Sequence, residues 1–423
     1  MMQNTGQLSL LLAGDAIITQ PWSHLNESSF LGLVQQIRST DVSIVNLELV
    51  LSGFRGYPQV DSGGTHLSAS PQIAQELEWA GFNMLVTANN HSFDFGSERI
   101  LESLRSISKT NLVQAGTGMD LPAARQPAYF DHASGMVALV AITSTFEYYG
   151  RAGMSRADFP GRPGFNPLEV LPARRIIRDT TRLQKSLIKV LANVGIPTRR
   201  PLCFRKFRPA DLAGNLAAVR QARRNADLVV LSLHTHERRD TWIQAFAHQA
   251  VDAGADVVFI HGPHFVDGIE IYKGKPILHG LGNFVFQPEL VEKLPAENYE
   301  KFGLGDEHTM EDIRRARCVS GRFNFPARPE IYETFIANLT FHSHGPSELK
   351  LVPVDLSFGQ SLPRRGSPRL ADAQLGQRII KEVQEKSRRF GTRIEYSSSD
   401  NVGRVILPLQ RAPASRERKR RAA

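Results

Sequence analysis

Seven side chains with metal-binding chemistry stand at or just beyond the ends of short hydrophobic runs: Asp15, Glu48, Asn90, His91, His234, His261 and His264. In open α/β sheets, ligands bind where the parallel strands end. Two carboxylates, an amide oxygen and several imidazoles suit Mn, Fe, Zn or Ca, and without a thiolate nothing favours zinc alone. The pattern therefore predicts a site for one or two divalent metal ions.

Each of these residues also has a simpler interpretation. A lone histidine at a strand end is usually a hydrogen-bonded structural residue, and a lone aspartate there usually caps a helix. Here five predicted strands, over residues 8–13, 42–45, 84–87, 228–233 and 257–260, all end in oxygen or nitrogen ligands. That coincidence favours the metal site over the structural interpretation.

The elements that position these side chains alternate between strand and helix patterns. Alternation over residues 8–143, and again from residue 212, predicts strands joined by crossover helices. Between them, residues 148–209 lose the pattern and are rich in glycine and proline at first. Residues 288–330 are predicted to be a loop excursion, and 370–388 an amphipathic helix.

The formal net charge of +9 is concentrated in two places. Segment 174–208 has eleven basic residues and one acidic residue, and the tail 411–423 is also strongly basic. We expect the tail to be disordered. The segment fits either a solvated helix face or a basic collar that attracts an anionic or peptide substrate. Aromatic residues are not interleaved with the charges, so we expect no nucleic-acid partner.

The cysteines and the N-terminal residues indicate the cellular compartment in which we expect the protein. Cys203 and Cys318 are too few for a disulfide framework. The first basic residue is Arg38, so the N-terminus lacks the basic region of a secretory signal. No stretch approaches the roughly 20 apolar residues that span a bilayer. We expect a cytoplasmic protein without a membrane span.

The sequence resembles the poly-γ-glutamate capsule-synthesis (CapA-type) family in the order of its motifs, which are GD at 14–15, NLE at 46–48, NNHSFDFG at 89–96, HTHE at 234–237, HGPH at 261–264 and GIEIYKGKPILHGLGNFVF at 268–286. The resemblance implies an α/β fold of calcineurin-like type, a four-layer αββα sandwich of two mixed β-sheets flanked by helices.

It also implies a division of the chain. Residues 1–360 would form the metalloenzyme domain, with a basic insertion at about 150–210 and the loop excursion at about 288–330. Residues 361–410 would add a helix and a strand packed on the same domain, and 411–423 the basic tail.

In calcineurin-like enzymes the matching positions bind metal. The resemblance implies that Asp15 and His264 bind a first ion, and that Glu48 binds one ion or bridges two. Asn90, His234 and His261 would bind a second ion.

The same resemblance assigns His91 to proton transfer rather than to a metal. Asp94, three residues on, could orient its imidazole. His236 and Asp240 could form a second pair of this kind. The metallophosphatase pattern begins with Asp-X-His, but here Asp15 is followed by Ala16 and Ile17, which removes one ligand and leaves open whether one ion binds or two.

The function favoured is a metal-dependent, hydrolase-like enzyme acting on a peptide or an anionic, poly-γ-glutamate-like substrate. His91 would serve as general acid or base. Three alternatives remain open: a peptide epimerase that uses the two His–Asp pairs, a phosphoesterase, and a non-catalytic accessory protein of poly-γ-glutamate synthesis.

Overall fold

The hydrophobic runs of the chain form strands that are buried on both faces, and the polar segments between them form helices and loops. The computed structural model describes residues 7–62, 64–171, 206–319, 325–342 and 345–408. The tail 411–423, and all but the last three residues of segment 174–208, lie outside the described residues.

The strands in chain order are β1 (Gln7–Ile17), β2 (Val42–Leu47), β3 (Val50–Leu51), β4 (Ser68–Ala69), β5 (Met84–Val86), β6 (Val113–Ala115), β7 (Thr117–Gly118), β8 (Ala128–His132), β9 (Gly135–Thr143), β10 (Gly164–Phe165), β11 (Val170–Leu171), β12 (Lys206–Phe207), β13 (Leu228–His234), β14 (Val257–His261), β15 (Ile269–Tyr272), β16 (Lys275–Leu278), β17 (Asn283–Phe286), β18 (Glu333–His342), β19 (Gly345–Asp355), β20 (Arg369–Leu370), β21 (Ile394–Ser397) and β22 (Val402–Val405). The helices are α1 (Ser28–Arg38), α2 (Ile73–Ala80), α3 (Ser97–Ile107), α4 (Leu121–Arg125), α5 (Pro209–Asn225), α6 (Thr241–Ala253), α7 (Ala296–Glu300), α8 (Met310–Val319) and α9 (Ala373–Ser387).

Most of these strands belong to two mixed sheets. The larger runs in the order β21-β22-β19-β18-β1-β2-β5-β6, with β17 also paired to β1 and β20 to β19. The smaller runs β15-β16-β14-β13-β9-β8. Parallel pairs connect β1, β2, β5 and β6 in one sheet and β9, β13, β14 and β16 in the other, and antiparallel strands complete both. The carboxyl ends of the parallel strands form one edge in each sheet.

The two sheets pack face to face. Alternate residues of β1 point to opposite sides of its sheet, so this strand contributes to two separate hydrophobic clusters. Leu10 and Leu12 belong to the hydrophobic cluster between the sheets, which also contains Val230 of β13. Leu11 and Ala13 belong to a second cluster that includes the buried faces of α1 and α2. The large sheet is therefore covered by helices on its outer face.

The smaller sheet is covered in the same way. Val229 and Leu231 of β13 pack in a third cluster with Val219 of α5 and Phe246 of α6. Helices, sheet, sheet and helices follow one another, which confirms the predicted four-layer αββα architecture.

Two local predictions have different outcomes. The amphipathic helix predicted over 370–388 is confirmed, since α9 spans Ala373–Ser387 and buries Ile379, Ile380 and Val383. The loop expected over 288–330 is wrong in part, because α7 and α8 lie within it. Helix α8 begins after a capping box at Thr309: the Asp312 backbone N–H donates to Thr309 Oγ1, and the Thr309 N–H donates to Asp312 Oδ2.

Residues 361–408 continue the larger sheet. Strand β22 pairs with β19, and α9 contributes Ile379, Ile380 and Val383 to the cluster between the sheets. Within the described part of the chain, every helix is too short or too polar to cross a bilayer.

Candidate metal centre

Asp15 lies inside β1 rather than after it, because the strand continues to Ile17. The pairing of β1 shifts register between Leu12 and Asp15 against β2, and again at Asp15 against β17. Such bulges re-aim a side chain. The close approach of β17 requires glycine at position 14, just before Asp15, because a Cβ there would lie 1.9 Å from the carbonyl oxygen of Gly282.

The smaller sheet brings two histidines to the same place. His234 and His261 are the last residues of the parallel strands β13 and β14, and they are direct partners in the register. The next residue, Gly262, donates its N–H to Asp15 Oδ2 at 2.9 Å. This bond ties the strand-end edge of the smaller sheet to the larger one.

Three fully buried side chains meet there, and we call Asp15, His234 and His261 the inner cluster. The two Nδ1 atoms of the imidazoles are 3.0 Å apart. Asp15 Oδ1 is 3.0 Å from His261 Nδ1 and 4.0 Å from His234 Nδ1. Three donor atoms thus surround one point, as a small divalent ion requires.

The inner cluster is held in place by neighbours that the sequence analysis missed. Asn46 Nδ2 donates to Asp15 Oδ1 at 2.8 Å, and Asn89 Nδ2 donates in turn to Asn46 Oδ1 at 3.1 Å. Ser232 Oγ lies 2.6 Å from His261 Nε2, so it fixes the rotation of that ring. The position of Asn46 in the NLE motif could have identified it as a site residue. No sequence feature distinguishes Ser232, a buried serine in the middle of a strand.

A second group, which we call the outer cluster, consists of Glu48, His236 and His264, with ligand atoms within 4.8 Å of one another. His264 has a left-handed backbone, φ 63°, uncommon for a residue with a side chain. Its Nδ1 lies 2.8 Å from Asn283 Oδ1, which leaves Nε2 4.0 Å from Glu48 Oε1. His264 Nδ1 is also 3.5 Å from Asp15 Oδ2, so the two clusters adjoin.

Glu48 provides the test of whether a metal ion fits. Its side chain is fully buried, yet within the described ranges neither carboxylate oxygen has a hydrogen-bond partner. Burial, and then the nearby charge of Asp15, raises the pKa of Glu48 well above its ordinary value. A cation would remove both penalties, so the donor set fits a divalent ion at this position.

The pKa of Asp15 is shifted in the opposite direction to that of Glu48. Burial alone would raise its pKa, but hydrogen bonds from His261 and His264 outweigh burial and hold the pKa well below its ordinary value. Burial, followed by the charge of His261, lowers the pKa of His234. The inner cluster therefore presents an ionised Asp15 carboxylate beside a neutral His234 imidazole, and these are the forms that bind metal.

Asn90 and His91 begin a 3₁₀ turn, Asn90–Phe93, directly after β5. Asn90 Oδ1 lies 2.7 Å from His234 Nε2, beside the inner cluster. His91 Nδ1 lies 2.8 Å from Asp94 Oδ2, which also accepts the Leu67 N–H at 2.7 Å. Burial, and then the charge of His264, lowers the pKa of His91 to about 3. His91 is therefore a neutral imidazole whose orientation is fixed by Asp94.

A cavity of about 450 Å³ opens above the two clusters, and His91, His236 and His264 line it. Asp240 lies elsewhere: its Oδ1 accepts the Trp242 N–H at the start of α6, and its side chain lines the adjoining cavity. The structure thus brings together nine of the ten predicted site residues. His236, predicted as half of an acid–base pair, lies instead at ligand distance from Glu48 and His264.

Comparisons with known proteins agree on one family. The family model described as bacterial capsule synthesis protein PGA_cap matches residues 9–288, a range that contains all ten predicted site residues. An uncharacterized protein of Sinorhizobium fredii (strain NBRC 101917 / NGR234) is 30% identical over 94% of this chain and 93% of its own length.

Two relatives carry descriptive names. The PGA biosynthesis protein CapA of Bacillus subtilis (strain 168) is 25% identical, over 59% of this chain and 54% of its own length. A probable polyglutamine synthesis accessory protein of Mycobacterium tuberculosis (strain ATCC 25618 / H37Rv) is 28% identical, over 58% of this chain and 56% of its own length.

Proposed function

Because the chain belongs to the bacterial capsule synthesis protein (PGA_cap) family, with its calcineurin-like fold, we propose that it is a metal-dependent, hydrolase-like enzyme acting on a peptide or poly-γ-glutamate-like chain. The observation that carries the proposal is the buried Glu48 carboxylate, whose oxygens lack hydrogen-bond partners within the described ranges and face two histidines beneath a cavity. Such an arrangement is costly to a fold unless a ligand completes it.

In this proposal the side chains of the inner cluster would hold one ion, and those of the outer cluster would hold a second ion or contribute to the same site. Asn90 lies beside the inner cluster. An ion there supplies Lewis acidity and stabilises negative charge that develops on a substrate oxygen. The paired supports, Ser232 behind His261 and Asn283 behind His264, keep the ligand rings oriented before any ion arrives.

His91 is the proposed proton-transfer residue. Its Nδ1 is engaged by Asp94, so the neutral ring presents Nε2 for accepting or returning a proton. Because His91 lines the cavity, a substrate lying over the clusters comes within its reach. Asp94 acts through His91 and is a positioning residue.

The second candidate is an accessory role in polymer synthesis without turnover. The name of the M. tuberculosis relative favours it, since that protein is described as an accessory protein. Both candidates use the same cavity, and turnover separates them.

The test is to load the purified chain with Mn²⁺ or Zn²⁺ and incubate it with a γ-linked glutamate oligomer in deuterated water. We expect new amino termini, abolished by chelation and by Asp15→Asn. His132→Ala, which removes a partly exposed histidine of β8, is the matched control and should retain activity.

Other outcomes assign the chain elsewhere. Oligomer binding with no cleavage supports the accessory role, and deuterium at Cα without cleavage indicates epimerisation. Turnover restricted to an aryl phosphate indicates a phosphoesterase. A chain that retains no metal after loading would falsify the proposal.

A further inference from the structure

The cavity above the clusters has a strongly basic wall. Four of the residues that line it carry a positive charge: Arg238, Lys301, Arg317 and Arg328. Among the described residues that line it, none is an aspartate or a glutamate. The acidic groups of the site, Asp15 and Glu48, lie below this wall. The cavity is therefore cationic toward anything that enters it.

Two of these cations share one aromatic ring. The guanidinium carbons of Arg238 and Arg328 lie 4.7 and 4.6 Å from the centre of the Phe265 ring. The ring thus holds two mutually repelling charges side by side, and an anion between them would relieve that repulsion.

The protein itself neutralises these charges unevenly. Lys301 Nζ donates to the Gly64 carbonyl at 3.1 Å and lies 3.5 Å from Asp61 Oδ1. Arg328 lies 3.8 Å from Glu330. Within the described ranges, no carboxylate lies within 4.0 Å of the Arg238 guanidinium. Arg238 is thus less neutralised by nearby carboxylates than Lys301 or Arg328.

The basic wall also lies between the main cavity and a neighbouring cavity, along the path that a long ligand would take. Arg238, Pro263 and Phe265 line both the main cavity and a neighbouring cavity of about 120 Å³. A chain that passes over the metal clusters and on into the second cavity must cross this ring and its guanidinium groups. A free carboxylate on such a chain can accept paired hydrogen bonds from an arginine, whereas a carboxamide offers one oxygen and no charge.

We propose that Arg238 and Arg328, arranged around Phe265, select a chain bearing free carboxylates over the same chain bearing carboxamides. The inference rests on the proposed function, since it concerns the substrate of the same site. It adds the residues that recognise the charge of that substrate.

The experiment compares two γ-linked oligomers of equal length, one with free carboxylates and one with every carboxylate amidated. Binding to the metal-loaded full chain is measured by fluorescence anisotropy at low and at high salt. We expect the free-acid oligomer to bind at least about tenfold more tightly at low salt, as charge-assisted hydrogen bonds would give. The variant Arg238→Gln/Arg328→Gln should lose that preference and keep its affinity for the amidated oligomer.

A matched control separates charge selection from the overall charge of the protein. Arg105→Gln/Arg315→Gln removes the same two charges from exposed helix positions outside the cavity and should retain the preference. Equal binding of the two oligomers, or an unchanged preference in the Arg238/Arg328 variant, overturns this inference and leaves the proposed function standing. Failure of both oligomers to bind a chain that holds metal overturns the proposed function with it.

Discussion

Two buried glutamates, Glu48 and Glu270, each lie among histidines, but their surroundings differ sharply. On β15, Glu270 Oε1 accepts from Gln244 Nε2 at 2.9 Å and lies 2.6 Å from His248 Nε2. Its Oε2 lies 3.0 Å from His279 Nε2. Each oxygen of Glu270 is thus hydrogen-bonded by the protein itself.

Glu48 also lies beside histidines, but within the described ranges it has none of these bonds. His234 Nε2 and His264 Nε2 stay 3.7 and 4.0 Å from its Oε1, beyond hydrogen-bond distance. The pKa values of the two glutamates are shifted in opposite directions. Burial raises the pKa of Glu48, whereas at Glu270 hydrogen bonds outweigh burial and lower the pKa to about 2. The presence of histidines alone therefore does not distinguish the two clusters, whereas the hydrogen bonding of the carboxylate does.

The largest effect is expected from the matched substitutions Glu48→Gln and Glu270→Gln. Glu48→Gln should reduce metal affinity by more than the roughly 10- to 100-fold typical of outer partners, because it removes a proposed ligand. It should also abolish most of the metal-dependent rise in Tm. Glu270→Gln should leave metal content and the Tm shift intact. Metal content after dialysis and thermal melts with and without metal provide the measurements.

The comparison breaks if the two variants behave alike. Full metal binding by Glu48→Gln would mean that its unpaired oxygens do not mark a ligand site. Loss of metal from Glu270→Gln would mean that the hydrogen-bonded cluster also contributes to binding.

A smaller effect is expected from Ser232→Ala. The hydroxyl lies 2.6 Å from His261 Nε2, so its loss frees the ring to rotate and should weaken metal binding about 10- to 100-fold. Ser43→Ala is the control, since Ser43 is equally buried but donates to the Ile37 carbonyl on the far side of the large sheet from the site. Isothermal titration with Zn²⁺ measures both. Equal affinities in the two variants would contradict the orienting role.

The third prediction concerns Asp94→Asn, which keeps the size of the side chain but replaces the carboxyl group that contacts His91 Nδ1 with an amide. We expect kcat to fall about tenfold to a hundredfold, since general acid–base catalysis by a misoriented His91 is impaired. KM, metal content and Tm should change little. A Tm loss of several degrees, with KM and kcat changing together, would identify Asp94 as a purely structural residue.

The family resemblance implied the αββα fold, and the strand-end pattern predicted seven of the residues that meet at the site, because strand ends converge in any parallel sheet. His234 and His261 illustrate this, being register partners at the ends of adjacent strands. The register shift at Asp15 was not predictable, because it depends on β17 and on the Gly282 carbonyl just before that strand, which lie far along the chain. Local spacing cannot reveal such a long-range contact.

His236 and Asp240 show another limit. Their spacing of four residues places two side chains on one face only if the segment is helical. Here α6 begins at Thr241, so Asp240 is its cap and His236 precedes it in a loop. A helix start signal at Asp240, followed by a hydrophobic run, was present in the sequence and predicts that division.

The smallest effect concerns the pH dependence of stability at Glu270. Its pKa is about 2 in the folded chain against 4.5 for an ordinary glutamate, so the folded state binds fewer protons between these values. Stability from Glu270 is therefore fully present above pH 4.5 and is lost as the pH falls toward 2, by at most about 1.4 kcal/mol per pH unit. Glu270→Gln should show a shallower loss of stability over that range.

Urea unfolding of metal-free protein from pH 5.5 down to 3 measures the difference between the two chains. With metal removed, metal release on protonation of the two clusters does not dominate the pH dependence of the free energy of unfolding. Any protonation of the clusters themselves contributes equally to the wild type and to Glu270→Gln. The free energy of unfolding of the wild type should therefore approach that of Glu270→Gln as the pH falls. If their difference stayed constant, the hydrogen bonds around Glu270 would not lower its pKa, and the contrast with Glu48 would rest on geometry alone.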